Sequence, residues 1–136
     1  MLSVEIIEKL KKAGVGIVYF FGSRADGSAL EKSDYDLGVV FVDKVSAEIG
    51  GSGLYLRIYD VLSEVIPDAL RGPNLDISFL QRANPILQMK AIQSGNILFE
   101  INSIFRADYE EEVIRYYNDY LPLKKEFEES TIRAFQ

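Results

Sequence analysis

Asp34 and Asp36 stand two positions apart, ten residues behind a Gly22-Ser23 dipeptide, and a third carboxylate, Asp76, interrupts the apolar run Leu75-Asp76-Ile77. Carboxylate oxygens are hard donors, and they select magnesium, calcium or manganese over softer metals. A glycine lets the backbone approach a phosphate closely. A serine that opens a helix adds its hydroxyl to amides already pointing at the anion. Arg24, next in the chain, adds positive charge beside a triphosphate.

These residues can act together only if strands bring them together. Side chains alternate along a strand. In the run after Ser33, Tyr35, Leu37, Val39 and Phe41 therefore share an apolar face, and Asp34, Asp36 and Gly38 share the other. In the later run, Leu75, Ile77 and Phe79 face one way, and Asp76 and Ser78 the other. A carboxylate buried without a partner costs several kcal/mol, so Asp76 in its apolar run calls for compensation. If the two strands are neighbours, Asp34, Asp36 and Asp76 converge, and three carboxylates so close repel one another unless a cation lies between them. Mg2+ suits such a site, because it shares its shell with substrate phosphates. A pair of such ions, about 3.5–4 Å apart, steadies the attacking and leaving oxygens of a phosphoryl transfer. One carboxylate can also accept the proton of an incoming hydroxyl, a role that falls to Asp76. The chemistry implied is nucleoside triphosphate binding and transfer of a nucleoside monophosphate. Asp34 alone would fit an ordinary turn; the set of five positions is what points to a site.

Composition narrows the choice. The 136 residues are the size of one domain, and 48% are apolar, enough for a core. The chain contains no cysteine and no histidine. Disulfides, thiolate metal sites, Ser-His-Asp triads and His-ligated zinc are excluded. A net charge of −6 argues against a broad nucleic-acid footprint, so no direct nucleic-acid binding is expected. No run is long and apolar enough for a membrane span, and Met1-Leu2-Ser3-Val4-Glu5 does not resemble a signal peptide, so a cytoplasmic location is expected.

The elements that position the motifs follow from periodicity and punctuation. Apolar spacing predicts a helix over Leu2–Lys12, stopped by Gly14. Val15–Phe21 reads as a buried strand ended by Gly22, and Ser23 caps a short helix over 24–30. Tyr35–Val42 is the second strand. Residues 43–53 read as a glycine-rich connection, Leu54–Ile66 as a helix, Arg71–Asn74 as a turn and Leu75–Leu80 as the third strand. Asn84-Pro85 opens a helix that stops at Gly95, Ile97–Glu100 is a short strand, and a helix runs from Ser103 to about Tyr120, ending near Pro122. The expectation is an α/β (α+β) domain over 1–122, a small mixed central sheet flanked by helices, with 123–136 a charged tail, helical or frayed.

With these residues in view, the chain resembles the DNA polymerase β-type nucleotidyltransferase superfamily. Gly22-Ser23-Arg24-Ala25-Asp26-Gly27 and Ser33-Asp34-Tyr35-Asp36-Leu37-Gly38-Val39 are similar to its minimal nucleotidyltransferase (MNT) group. Leu75-Asp76-Ile77, Asn84-Pro85-Ile86-Leu87 and Gly95-Asn96-Ile97-Leu98-Phe99-Glu100 extend the likeness over roughly residues 4 to 120. The resemblance implies the polymerase β-like fold and Mg2+-dependent transfer of AMP from ATP. Asp34, Asp36 and Asp76 would then serve as catalytic metal ligands, with Gly22, Ser23 and Arg24 at the nucleotide. It also implies an antitoxin that AMPylates a tyrosine of a cognate HEPN ribonuclease toxin, some relatives neutralising mainly by binding. Asp26 and Tyr35 depart from the usual pattern; neither removes a metal ligand, and Asp26 weakens the attraction for phosphate. A small-molecule, antibiotic-type nucleotidyltransferase shares the same donor site, but no acceptor domain follows it in this chain.

Other signals are weaker. Gly50-Gly51-Ser52-Gly53 lacks the Lys-Ser/Thr ending of a phosphate loop and reads as a connection. In the last helix, Phe105, Tyr109, Val113 and Tyr116 are expected to cover the core, leaving Tyr117 as a partner contact. Glu110–Glu112 and Glu126, Glu128 and Glu129 read as solvated faces.

Overall fold

The computed structural model describes residues 2–22, 35–43, 51–66 and 75–134. Helix α1 (Val4–Lys12) opens on Ser3, whose hydroxyl accepts from the Ile6 amide, satisfying one of the amides a helix start leaves without a partner. Strand β1 (Val15–Phe21) follows, then β2 (Tyr35–Phe41), helix α2 (Gly51–Val65) and β3 (Leu75–Phe79). A 3-10 turn at Leu80–Arg82 leads to α3 (Pro85–Ser94), β4 (Ile97–Glu100) and the long α4 (Ser103–Ala134). The start of α3 is as its sequence predicts: Asn84 Oδ1 accepts from the Leu87 amide, and Pro85 occupies the first turn. Gly95 closes α3 at φ +70°, a conformation that glycine adopts without a Cβ penalty.

The strands form one mixed sheet in the order β3-β2-β1-β4. β1 runs antiparallel to both β2 and β4, and β2 and β3 are parallel. A parallel neighbour needs a crossover, which contains α2. The sheet is covered on both faces. Leu37, Val39, Phe41, Leu75, Ile77 and Phe79 form one core with Leu10 of α1 and Ile58, Val61 and Leu62 of α2. Ile17, Tyr19, Phe21 and Val40 form a second core with Leu80, with Ala91 of α3, and with Tyr109 and Val113 of α4. Burying each large apolar side chain stabilises the fold by about 1.5–3 kcal/mol. A register shift between Val15 and Ile17 turns Val15 and Val18 toward the first core and Ile17 and Tyr19 toward the second.

Two expected boundaries move. Helix α2 begins at Gly51, inside the stretch read as a connection; glycine costs a helix about 1 kcal/mol, and the packing of Ile58, Val61 and Leu62 into the first core outweighs it. Helix α4 does not end near Pro122 but runs through it to Ala134. Proline lacks the N–H that would bond four residues back. This part of α4 is exposed, so water can take the freed carbonyl, and Lys124–Glu128 at 3.9 Å supports the next turn. Among the described residues no helix is long and apolar enough to cross a membrane. The predicted helix over 24–30 and the turn at 71–74 lie outside the described residues.

Candidate active site

Gly22 ends β1 at φ +82°, in the left-handed region that favours glycine. Its neighbour Phe21 pairs with Asp36 across the antiparallel β1–β2 ladder. The Asp36 carboxylate lies over Gly22 so closely that a Cβ there would overlap Oδ2 and come within 3.0 Å of Cγ. Glycine is thus required both by the turn and by the space Asp36 occupies.

Asp36 is in turn the register partner of Asp76 on the parallel β2–β3 pair. Neighbouring strands lie about 4.8 Å apart, so the two carboxylates start from adjacent backbone positions. They share a sheet face. Tyr35 and Leu75, one residue before each, pack with the first core, so Asp36 and Asp76 point to the side covered by α3 and α4. By sequence Asp76, within an apolar run, is at risk of costly burial. In the structure Asp76 is exposed at the sheet end and Asp36 half-buried, so the burial penalty does not arise for Asp76.

Two contacts fix this register. Gly38, two residues beyond Asp36 on the same face, lets Leu80 lie flat on β2; a Cβ at Gly38 would meet Leu80 Cδ1 at 2.8 Å. Gln81 then imitates a strand: its Oε1 accepts from the Phe41 amide at 2.7 Å, and its Nε2 donates to the Phe41 carbonyl at 2.8 Å. The turn after β3 is thereby tied to the end of β2, and Asp76 cannot slip relative to Asp36. Sequence reasoning missed Gln81, because a glutamine in a polar turn carries no periodic signal.

A second polar set anchors α4. The Tyr19 hydroxyl donates to Glu110 Oε1 at 2.9 Å, and Arg106 bridges Glu100 and Glu110. Burial, then the Glu110 carboxylate, pushes the Tyr19 hydroxyl well above its ordinary range. Tyr109 donates to the buried Gln88 at 2.8 Å, and Gln88 donates to the Ala83 carbonyl at 2.9 Å. Tyr109 is likewise raised, mainly by burial and then by Glu112 and Glu110. Glu110, expected on a solvated face, is instead half-buried between Tyr19 and Arg106. The tyrosine stripe is partly corrected: Tyr109 and Val113 are buried and Phe105 packs against them, but Tyr116 is exposed because the core ends one turn earlier, and Tyr117 is half-buried.

Of the sequence-predicted site, Gly22, Asp36 and Asp76 are brought together; Ser23, Arg24 and Asp34 lie outside the described residues. Among the described residues no three acidic side chains gather into a metal cluster. The pair Asp36 and Asp76 nevertheless has the chemistry of a hard-cation site: oxygen donors only, on one face, one of them open to solvent.

The polymerase β nucleotidyltransferase family matches residues 4–104. The chain belongs to that family. Its fold is shared by solved structures of low identity. A toxin-antitoxin crystal structure with AMP-PNP has a chain that is 18% identical, with 94% of this chain and 96% of that chain covered at a TM-score of 0.67. A complex of a tri-AMPylated Shewanella oneidensis HEPN toxin with an MNT antitoxin has a chain that is 16% identical, with 94% and 93% covered at a TM-score of 0.61. A third, from a toxin-antitoxin MntA-HepT structure, is 16% identical, with 94% of both chains covered at a TM-score of 0.59. No curated protein sequence matches the chain. The polymerase β-like fold expected from the sequence is the fold observed, with the nucleotidyltransferase family's match reaching from α1 into the start of α4.

Proposed function

We propose that the protein is a Mg2+-dependent nucleotidyltransferase that moves AMP from ATP to a tyrosine of a cognate HEPN ribonuclease toxin, and so acts as its antitoxin. The observation that carries the reading is the pairing of Asp36 with Asp76 beside Gly22. Family membership supports the reaction class. The neighbour solved with AMP-PNP supports an adenine nucleotide as donor, and the AMPylated HEPN toxin beside an MNT antitoxin supports the acceptor.

In this reading Asp36 and Asp76, joined by Asp34, hold the cations, while Gly22, Ser23 and Arg24 receive the triphosphate. Bound Mg2+ would offset the charge that builds on the phosphate oxygens during transfer. The acceptor tyrosine oxygen attacks the α-phosphorus, the bond from that phosphorus to the oxygen bridging the β-phosphate breaks, and pyrophosphate leaves. The tyrosine proton passes to the Asp76 carboxylate, which is exposed and so reachable by a protein substrate. Because Gly22 has no Cβ, the Asp36 carboxylate can lie against the turn that would receive the triphosphate.

The test is to incubate the native chain with α-labelled ATP, Mg2+ and the HEPN protein encoded beside it. Label on a tyrosine of the partner is the expected result. No label on the partner, or label on an aminoglycoside without any partner protein, would overturn the reading.

A further inference from the structure

Helix α4 is directional with respect to the site. Its Phe105 packs on Gly16, where a Cβ would lie 2.9 Å from Cζ. One turn later Tyr109 and Glu110 meet Tyr19, and Val113 joins the core that contains Phe21. The helix therefore advances along β1 toward Gly22, on the sheet face that bears Asp36 and Asp76. Beyond Val113 burial fades, with Tyr117 and Tyr120 still half-buried, and residues 121–134 are exposed throughout.

The apolar stripe does not stop where the body stops. Tyr109, Val113, Tyr116, Tyr120, Leu123 and Phe127 follow one another at spacings of four, three, four, three and four residues. That is the seam spacing of a helix that packs against another helix. Tyr116, Leu123 and Phe127 are 53%, 65% and 73% exposed. From Tyr116 to Phe127 the seam is about 16 Å long at 1.5 Å per residue. One edge of the seam carries Asp119 and Glu126, each three residues after a seam position, and the other carries Tyr117 and Lys124.

We propose that this overhang of α4 is the docking ridge for the acceptor protein, and that its occupant is a helix of that protein with an apolar seam flanked by lysine or arginine. Two observations select this occupant. The ridge continues from the face that carries the carboxylates, so a protein seated on it stands next to them. The acidic edge calls for a basic one opposite. The inference rests on the proposed transfer to a protein, and it adds the surface that selects the acceptor. Binding to the ridge would supply the orientation that transfer to a protein acceptor requires.

The test compares the native chain with the double variant Leu123→Glu, Phe127→Glu and with Ile132→Glu, which lies on the other side of the same helix. The probe is the adjacent HEPN protein, titrated in the transfer assay and in direct binding. All substituted side chains are exposed, and melting temperatures confirm that the fold is intact. The expected result is a KM for the partner raised about ten-fold or more in the double variant, as for loss of central anchors. The KM for ATP and the behaviour of Ile132→Glu should be unchanged. Equal partner KM values for native and double variant would overturn the proposal while leaving the transfer reading intact. A native chain that sediments as a dimer, with the double variant monomeric, would overturn it in favour of a second copy. No transfer and no partner binding by the native chain would overturn the functional reading and this inference together.

Discussion

Asp36 is held between two residues that never meet it in sequence: its carboxylate lies on Gly22 of β1, and its backbone is paired in register with Asp76 of β3. The antiparallel ladder sets the first relationship and the parallel ladder the second. A change at Gly22 is therefore a change at Asp36.

Gly22→Ala should harm both fold and chemistry. The left-handed conformation costs a residue with a Cβ about 1–2 kcal/mol. The added methyl must also displace the Asp36 carboxylate. A lower melting temperature together with a fall in kcat is expected. A variant with native activity would show that Asp36 need not lie where it does.

Asp76→Asn tests the proton acceptor with little risk to the fold, since the side chain is exposed. Loss of a general base should lower kcat by about 10²–10⁴-fold. The melting temperature should stay within error of the native value, read by thermal denaturation beside the transfer assay.

Gly38→Ala probes the register rather than the chemistry. The new Cβ would press on Leu80 at 2.8 Å from Cδ1 and 3.0 Å from Cγ. Overpacking of this kind destabilises by about 1–3 kcal/mol. Chemical denaturation should show that loss, and because Leu80 precedes Gln81, exchange of the Phe41 amide should quicken as well.

Tyr19 and Tyr109 give the fold an alkaline limit. Both hydroxyls are raised above the ordinary value of 10.0, chiefly by burial, so the folded state favours their neutral forms. That stabilisation is complete below pH 10.0, where the unfolded chain also keeps its protons. Above it the unfolded state ionises first, and stability falls as pH rises. Denaturation midpoints taken on either side of that pH should show the decline, and Tyr19→Phe should make it shallower.

Much of this arrangement was legible in the sequence. Period-two alternation placed Leu37, Val39, Leu75 and Ile77 on one face and Asp36 and Asp76 on the other, and the adjacency of the two strands, left conditional by the sequence, is met in the sheet. Asn84, Pro85 and Gly95 marked the ends of α3 because capping chemistry is local. What was hidden depends on contacts between distant residues. Gln81 on Phe41, Tyr19 on Glu110 and Gln88 on Tyr109 follow from topology, and no local pattern announces them. Pro122 misled because proline ordinarily breaks a helix, whereas on an exposed stretch the lost bond is left to water. Tyr116 misled because a stripe gives the direction of packing but not where the opposing surface ends.

Cation binding at the paired carboxylates is the most direct test of the account. Mn2+, which gives a paramagnetic signal, is titrated with a non-hydrolysable ATP analogue into the native chain and into the double variant Asp36→Asn, Asp76→Asn. Saturable Mn2+ binding by the native chain and its loss in the variant, with both proteins folded, are expected. Equal Mn2+ binding by the two would contradict it.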